Sequence, residues 1–463
     1  MSNRSHRCSN RNTMIHKENS MDTYFVGNQE YFKGIGKIAY EGPKSDNPLA
    51  FKFYDPKKIV RGKTMEDHLR FSVAYWHSFC ADGTDPFGKA TMHFPWKHDD
   101  PMQNARNKAE AAFEFITKLG APFYAFHDVD ASPDSESAAE YEKNYLEIAA
   151  YLKRLQDETG VRLLWNTSNL FSHPRYMNGA ATNPDFSVLG RAALQVKTSL
   201  DVNVMLGGSG YTFWGGREGY MTLWNTDTKR EEEHLGTFLR IARDYGRKIG
   251  FKGTFYIEPK PMEPSKHQYD FDAATAIAFI RKYGLENDFK CNIENNHATL
   301  AGHSFAHDLQ VCVDNGMLGS VDANQGDAQN GWDTDEFPTN VYETTEAMLI
   351  ILRNGGLHNG GLNFDAKRRR NSTELADLFI AHIGGMDAFA LGLLTADKIL
   401  ADGKIDAMKK SRYASFDGGD GVLYEKGLID LVKLADLGRK AQPKDISGKQ
   451  ELLYNLVNQY LFS

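Results

Sequence analysis

Glu258, Glu294, Asp322 and Asp365 each end a short apolar run, in FYIEPKP, KCNIENNH, GSVDAN and GGLNFDAK, with room for a helix between successive runs. If the runs are parallel strands, their C-terminal ends share one face, and four carboxylates far apart in sequence converge there. Carboxylates brought together in a partly desolvated site either take up protons or are neutralised by a divalent cation. The pattern is that of a metalloenzyme.

Further donors lie close by in sequence. In NIENNH, Glu294 and His297 are three apart at the exit of a run, a spacing that lets both reach one cation but that also occurs in ordinary surface pairs at helix starts. In GWDTDEFP, Asp333 and Asp335 form a DxD pair, which can chelate a cation or can cap its own turn. Glu258, Glu294, His297, Asp322, Asp333, Asp335 and Asp365 together exceed what one octahedral ion uses. Two cations sharing a carboxylate is the economical reading, and oxygen-rich ligation with one imidazole and no thiolate favours Mg, Mn or Co over Zn.

AFHDVD puts His127 and Asp130 at the end of another run, on the same face. A histidine held by a carboxylate has a fixed tautomer and raised basicity, suited to moving protons; a lone HxxD is more often structural, but a place beside a metal cluster reverses that. Lys260 follows Glu258 by two in EPKP, so both side chains share one side of an extended chain, and the ammonium is a point charge beside the metal site. Trp76, Phe87 and Trp214 are the aromatics best placed to form flat walls against sugar C–H faces, with core packing the alternative for each. KRRR at 367–370 reads as surface or intersubunit pairing, and His267 and His303 have no assigned role.

These residues need a scaffold, and the chain supplies one. Strand-like runs at 69–76, 122–128, 162–168, 203–208, 254–259, 290–295, 318–324 and 361–366 alternate with helical ones such as 104–120, ending at Gly120, and 228–250, ending at Gly250. Eight such repeats predict an α/β fold of the (β/α)8 TIM-barrel type, whose sites lie at the C-terminal strand ends. Beyond about residue 390 only helical signal remains. Its apolar faces have no sheet to cover, which predicts an arm for oligomerisation. The expected division is a disordered extension over 1–22, a catalytic barrel over 23–390 and a helical arm over 391–463.

The 463 residues, with an apolar fraction of 41%, are ample for a large core, and 61 acidic against 54 basic residues give a net charge of −7. That balance argues against nucleic acid or anionic membrane as partners. No run approaches about twenty uninterrupted apolar residues, so no membrane span is expected. The basic opening lacks the apolar stretch of a secretory signal, with a transit peptide the lesser alternative. The four cysteines, Cys8, Cys80, Cys291 and Cys312, show neither close pairing nor CxxC, in keeping with a reducing, cytoplasmic setting.

The segments FHDVD, WGGREGY, IEPKPMEPSKHQYDFD, HATLAGH, SVDANQGD, GWDTDEFP and GGLNFDAK, in this order, resemble the xylose isomerase family in the longer of its two classes, from about residue 23 to the C-terminus. The resemblance implies two divalent cations per subunit. One would be held by Glu258, Glu294, Asp322 and Asp365, and the other by Glu294, His297, Asp333 and Asp335. His127 with Asp130 would open the sugar ring, Lys260 would hold a substrate oxygen, and Trp76, Trp214 and Phe87 would wall the site, Phe87 reaching into a neighbour's. Conversion of D-xylose to D-xylulose by ring opening and hydride shift, weaker action on D-glucose, and a homotetramer are implied likewise. Asn295 departs from the family, where alanine is usual, and so could retune metal preference. A metal-dependent phosphodiesterase or endonuclease on a similar barrel is the competing expectation, although it calls for more histidines and a basic groove.

Overall fold

In a computed structural model, residues 24–463 are described. The expected extension over 1–22, Cys8 included, lies outside them. Eight strands, β1 (Phe71–Ala74), β2 (Phe123–His127), β3 (Arg162–Thr167), β4 (Gly210–Trp214), β5 (Thr254–Glu258), β6 (Phe289–Glu294), β7 (Leu318–Asp322) and β8 (Leu362–Phe364), form a closed barrel in chain order. Every pairing is parallel, and β8 closes on β1 through Leu362 with Phe71, Asn363 with Ser72 and Phe364 with Val73. The strands read as nearly continuous apolar runs because both their faces are covered.

Each strand is followed by a long helix: α1 (Pro101–Leu119), α2 (Ala138–Thr159), α3 (Phe186–Leu206), α4 (Thr228–Lys248), α5 (Ala273–Lys282), α6 (Phe305–Asp314), α7 (Val341–Arg353) and α8 (Leu375–Asp402). Gly120 ends α1 in a left-handed conformation at φ 80°, as its position predicts. One strand expectation fails. NVMLGG at 203–208 is the last turn of α3 and its Gly207 cap, and the fourth strand is GYTFW, beginning at Gly210. Of the apolar residues there only Leu206 faces inward, Val204 and Met205 being exposed, and so short an apolar run cannot be told from a strand by composition.

Inside the barrel, Phe123, Ala125, Leu164, Trp165 and Tyr256 pack into a small core of their own, with Trp76 against it. The Tyr256 ring fits because Gly210 and Gly319 carry no side chain: a Cβ there would stand 2.2 and 2.5 Å from ring carbons of Tyr256. Arg70 and Arg162 lay their guanidinium groups over Phe123 at 4.6 and 4.5 Å. The barrel floor is therefore plugged, and only its upper mouth is open for chemistry.

The segment before β1 is anchored to the helical shell through polar side chains. Asp387 on α8 accepts the backbone N–H groups of Lys52, Phe53 and Tyr54, each at 2.8 Å. Asp387→Ala strands these donors, so a loss of about 1–3 kcal/mol in denaturant unfolding is expected. Unchanged stability would mean that the segment is held otherwise.

The division expected at 390/391 falls inside α8, which runs unbroken to Asp402, and the chain turns at Gly403. This helix, its apolar run interrupted by polar residues, is long and apolar enough to cross a membrane by composition, but most of it is buried in the protein. Four further helices follow, α9 (Lys404–Tyr413), α10 (Gly419–Glu425), α11 (Leu431–Lys440) and α12 (Gln450–Leu461), and none contains a buried residue. Leu431, Val432 and Phe462 are among the large apolar side chains they leave exposed.

Candidate active site and metal centre

Glu258, Glu294 and Asp322 are the last residues of β5, β6 and β7, and Asp365 directly follows β8. Four consecutive strand ends thus bring one carboxylate oxygen each to within 4.8 Å of one another. Three of the four are almost wholly buried. Glu294 with Asp333 and Asp335, and Glu258 with Glu294 and His297, form two further groups of the same tightness, so Glu294 belongs to all three. The structure brings all seven proposed ligands together.

Burial and mutual repulsion push Glu258 and Glu294 well above the usual carboxylate range, and Asp322 up to about 7. For Asp333, burial acts in the same direction, but His297 and Lys260 outweigh it and hold the group well below that range. His297 points Nε2 at Glu294 and Asp333, 3.2 and 3.4 Å away, while its buried Nδ1 finds no hydrogen-bond partner among the described residues. An imidazole nitrogen aimed into carboxylates, and carboxyl groups that ionise only reluctantly beside one another, are what a divalent cation would satisfy. The donor set fits the cations that the sequence implies.

Around the cluster runs a ring of amides that orients it. Asn292 donates to Glu258 and Asp322 at 2.9 and 2.7 Å, Asn363 to Asp322 at 2.8 Å, and Asn324 to Glu294 at 2.7 Å. Asn295 donates in turn to the Asn324 carbonyl and to Glu343, at 3.1 and 2.8 Å. Asp335 takes a left-handed backbone at φ 46°. Arg369 caps its carbonyl at 2.7 Å, and the Lys367 ammonium meets its carboxylate at 2.8 Å. KRRR is therefore surface only in part: Arg370 is exposed, whereas Arg368 is buried. Arg368 and Arg370 likewise cap carbonyls, those of Glu374 and Lys89, within this chain.

The mouth encloses a cavity of about 170 Å³. Lys260 projects into it and bonds Asp333 at 2.5 Å, and burial of the ammonium is outweighed by Asp333, so its pKa rises above the ordinary lysine value. Opposite stands His127, whose Nδ1 lies 2.8 Å from Asp130. Burial works against the imidazolium, but the Asp130 carboxylate more than offsets it and leaves His127 above the ordinary imidazole value. Trp76 packs edge-on to His127 at 4.6 Å between ring centres, and Trp214 lies nearly parallel to the His297 ring at 6.5 Å. Phe87 lines none of this. It is 89% exposed in a loop outside the cavity.

Several lining residues escape a reading of the sequence. Trp165 and Thr167, from the end of β3, and Phe171 complete the wall. A π-helical turn at Trp76–Cys80 presents His77 inward, where Nε2 lies 2.7 Å from Asp365 and 3.3 Å from Asp335. Burial opposes the charge on His77, but these two carboxylates lift it to about 9. Its place directly after Trp76 was the available signal.

Residues 409–461 match the family described as the XylA2 C-terminal domain. A xylose isomerase 2 of Xanthomonas campestris pv. campestris (strain 8004) is 60% identical over 442 residues, covering 95% of this chain and 99% of that protein. A xylose isomerase of Xanthomonas oryzae pv. oryzae (strain MAFF 311018) is 59% identical over 441 residues, with the same coverage. A solved L-ribulose 3-epimerase overlays 67% of this chain and 95% of its own, at 14% identity and TM-score 0.48, too distant to bear on the chemistry. At this identity along nearly its whole length, the chain belongs to the xylose isomerase family.

Proposed function

We propose that this chain is a two-metal aldose–ketose isomerase interconverting D-xylose and D-xylulose by ring opening and a 1,2-hydride shift. The observation that carries it is the convergence of four strand-end carboxylates, Lys260 and the His127–Asp130 pair on one aromatic-walled cavity. Family membership supports the substrate. Glu258, Glu294, Asp322 and Asp365 would hold one divalent cation, and Glu294, His297, Asp333 and Asp335 a second, of the Mg, Mn or Co type. Bound there, the cations would supply Lewis-acid charge and a template for the sugar's oxygens.

The protein's own groups divide the remaining work. Asp130 on Nδ1 leaves His127 Nε2 free to carry the proton that moves between ring oxygen and anomeric hydroxyl during opening. Lys260 steadies the carbonyl oxygen as hydrogen passes between C2 and C1, and Trp76, Trp165, Phe171 and Trp214 keep water from the reacting carbons. In D-xylose deuterated at C2, the label should reappear at C1 of D-xylulose. No turnover would overturn the function, and loss of label to solvent would overturn the hydride shift.

His127→Gln should slow turnover by a factor on the order of 10², at the low end of general acid–base effects because sugar rings also open unaided. Metal binding should survive, since His127 is not a proposed ligand. The C2 isotope effect should shrink as ring opening becomes limiting; one that grows would move His127 to the hydrogen-transfer step. Asn295→Ala removes the residue that positions Asn324, and through it Glu294. Metal affinity, read from the cation dependence of activity, should weaken about tenfold, and an unchanged affinity would detach Asn295 from the centre.

The endonuclease alternative has no support: the relatives are isomerases, and Arg368, Arg369 and Arg370 are engaged on carbonyls instead of lining a phosphate groove. A homotetramer is part of the same proposal, supported by the uncovered apolar residues of α9–α12 and the outward-facing Phe87. So is a cytoplasmic setting, supported by free thiols at Cys80, Cys291 and Cys312.

A further inference from the structure

Six residues beyond His297, the loop entering α6 gathers a second group of metal-binding side chains, separate from the barrel mouth. His303 precedes the helix cap Ser304, and His307 and Asp308 lie in the first turn. One ring nitrogen from each histidine and one Asp308 oxygen all lie within 4.8 Å of one another. Among the described residues this is the one group that joins two imidazoles to a carboxylate. The His303 and His307 ring centres are 4.7 Å apart, and His303 Nδ1 lies 2.8 Å from Asp308 Oδ1. Asp308 is almost wholly buried, and its side chain has no other hydrogen-bond partner among the described residues. From the preceding βα unit, Asp272 caps α5 with one oxygen and turns the other towards His303 Nε2, 3.9 Å away.

We propose that His303, His307 and Asp308, faced by Asp272, form a binding site for one cation of the Zn²⁺ class. The chemistry differs from that of the barrel mouth. Two imidazoles and one or two carboxylates are a nitrogen-rich set preferred by zinc, whereas the mouth offers six carboxylates and one proposed imidazole ligand to harder ions. Donors about 2.0–2.1 Å from a tetrahedral ion stand roughly 3.3 Å apart. The exposed His307, whose ring makes no hydrogen bond among the described residues, can close the difference by rotating. A cation here would tie the start of α5 to the start of α6. These helices follow the strands that end in Glu258 and Glu294, so the site would brace one side of the mouth without entering it.

The inference stands apart from the isomerase reading and is tested on the magnesium-loaded protein. Wild type and His307→Ala are dialysed against micromolar Zn²⁺, and zinc and magnesium are both counted per chain. Wild type should retain one zinc more than the variant, and zinc should raise its melting temperature but not the variant's. The magnesium count registers any zinc that has entered the barrel mouth instead. Since His307 is exposed, the variant should fold, and His303→Gln gives an independent second loss. Equal zinc content in wild type and both variants would overturn the site.

Discussion

Removing divalent cations from this protein is expected to abolish isomerisation and to lower its melting temperature, and the destabilisation should grow with pH. Glu258, Glu294, Asp322 and Asp365 bring oxygens within 4.8 Å of one another. Without a cation, the folded chain meets this repulsion by retaining protons: Glu258 and Glu294 lie well above the ordinary carboxylate range, and Asp322 is at about 7. An unfolded chain releases such protons near pH 4. Folded values above unfolded ones mean that stability is fully present below about pH 4 and is lost as pH rises through 7. A bound cation replaces those protons and contributes roughly 2.7–4.1 kcal/mol per site at 100 to 1,000 times its dissociation constant. Melting curves at pH 5.5 and pH 8, with and without chelator, should therefore separate more widely at pH 8. Full activity in protein verified to be free of metal would sink the two-cation proposal.

The barrel and its carboxylates were legible because each is a local signal: an apolar run, an acidic residue at its end, and a helix to follow. Glu258, Glu294 and Asp322 needed no tertiary knowledge beyond the rule that parallel strands share a mouth. His77 was hard to read, because its partners Asp335 and Asp365 are more than 250 positions away and only its place directly after Trp76 marks it. The amides Asn292, Asn324 and Asn363 were passed over for a related reason. An asparagine inside a strand, as Asn292 and Asn363 are, or just past its end, as Asn324 is, looks like an interruption until its neighbours are seen to be buried acids. KRRR was legible in part, since Arg370 is exposed as a run of charges suggests, while the destinations of its donors, the carbonyls of Asp335, Glu374 and Lys89, appear only in three dimensions. The fourth strand is masked by the end of α3, where three apolar residues and two glycines read equally as a strand or as a helix end.

Replacing Lys260 by methionine should damage turnover more deeply than any other single change outside the carboxylate cluster. The side chain keeps most of its length and apolar stem, so the cavity wall remains, but the ammonium that bonds Asp333 at 2.5 Å is gone. Two losses follow. The substrate's carbonyl oxygen loses a fixed positive charge as negative character develops on it, a contribution of the kind worth about 10²–10³ in kcat. Asp333 loses one of the groups that hold it well below the usual carboxylate range, and stranding one member of a buried charge pair costs about 3–5 kcal/mol when nothing replaces it. A cation beside Asp333 would offset much of that second loss. The variant should accordingly fold at saturating metal, show a KM near that of wild type and a collapsed kcat, and need more metal for half-maximal activity. Because the lysine is held above its ordinary pKa, no limb of the wild-type pH profile below about 9 should belong to it. A variant with unchanged kcat and raised KM would reduce Lys260 to a binding residue and leave the developing charge to other groups.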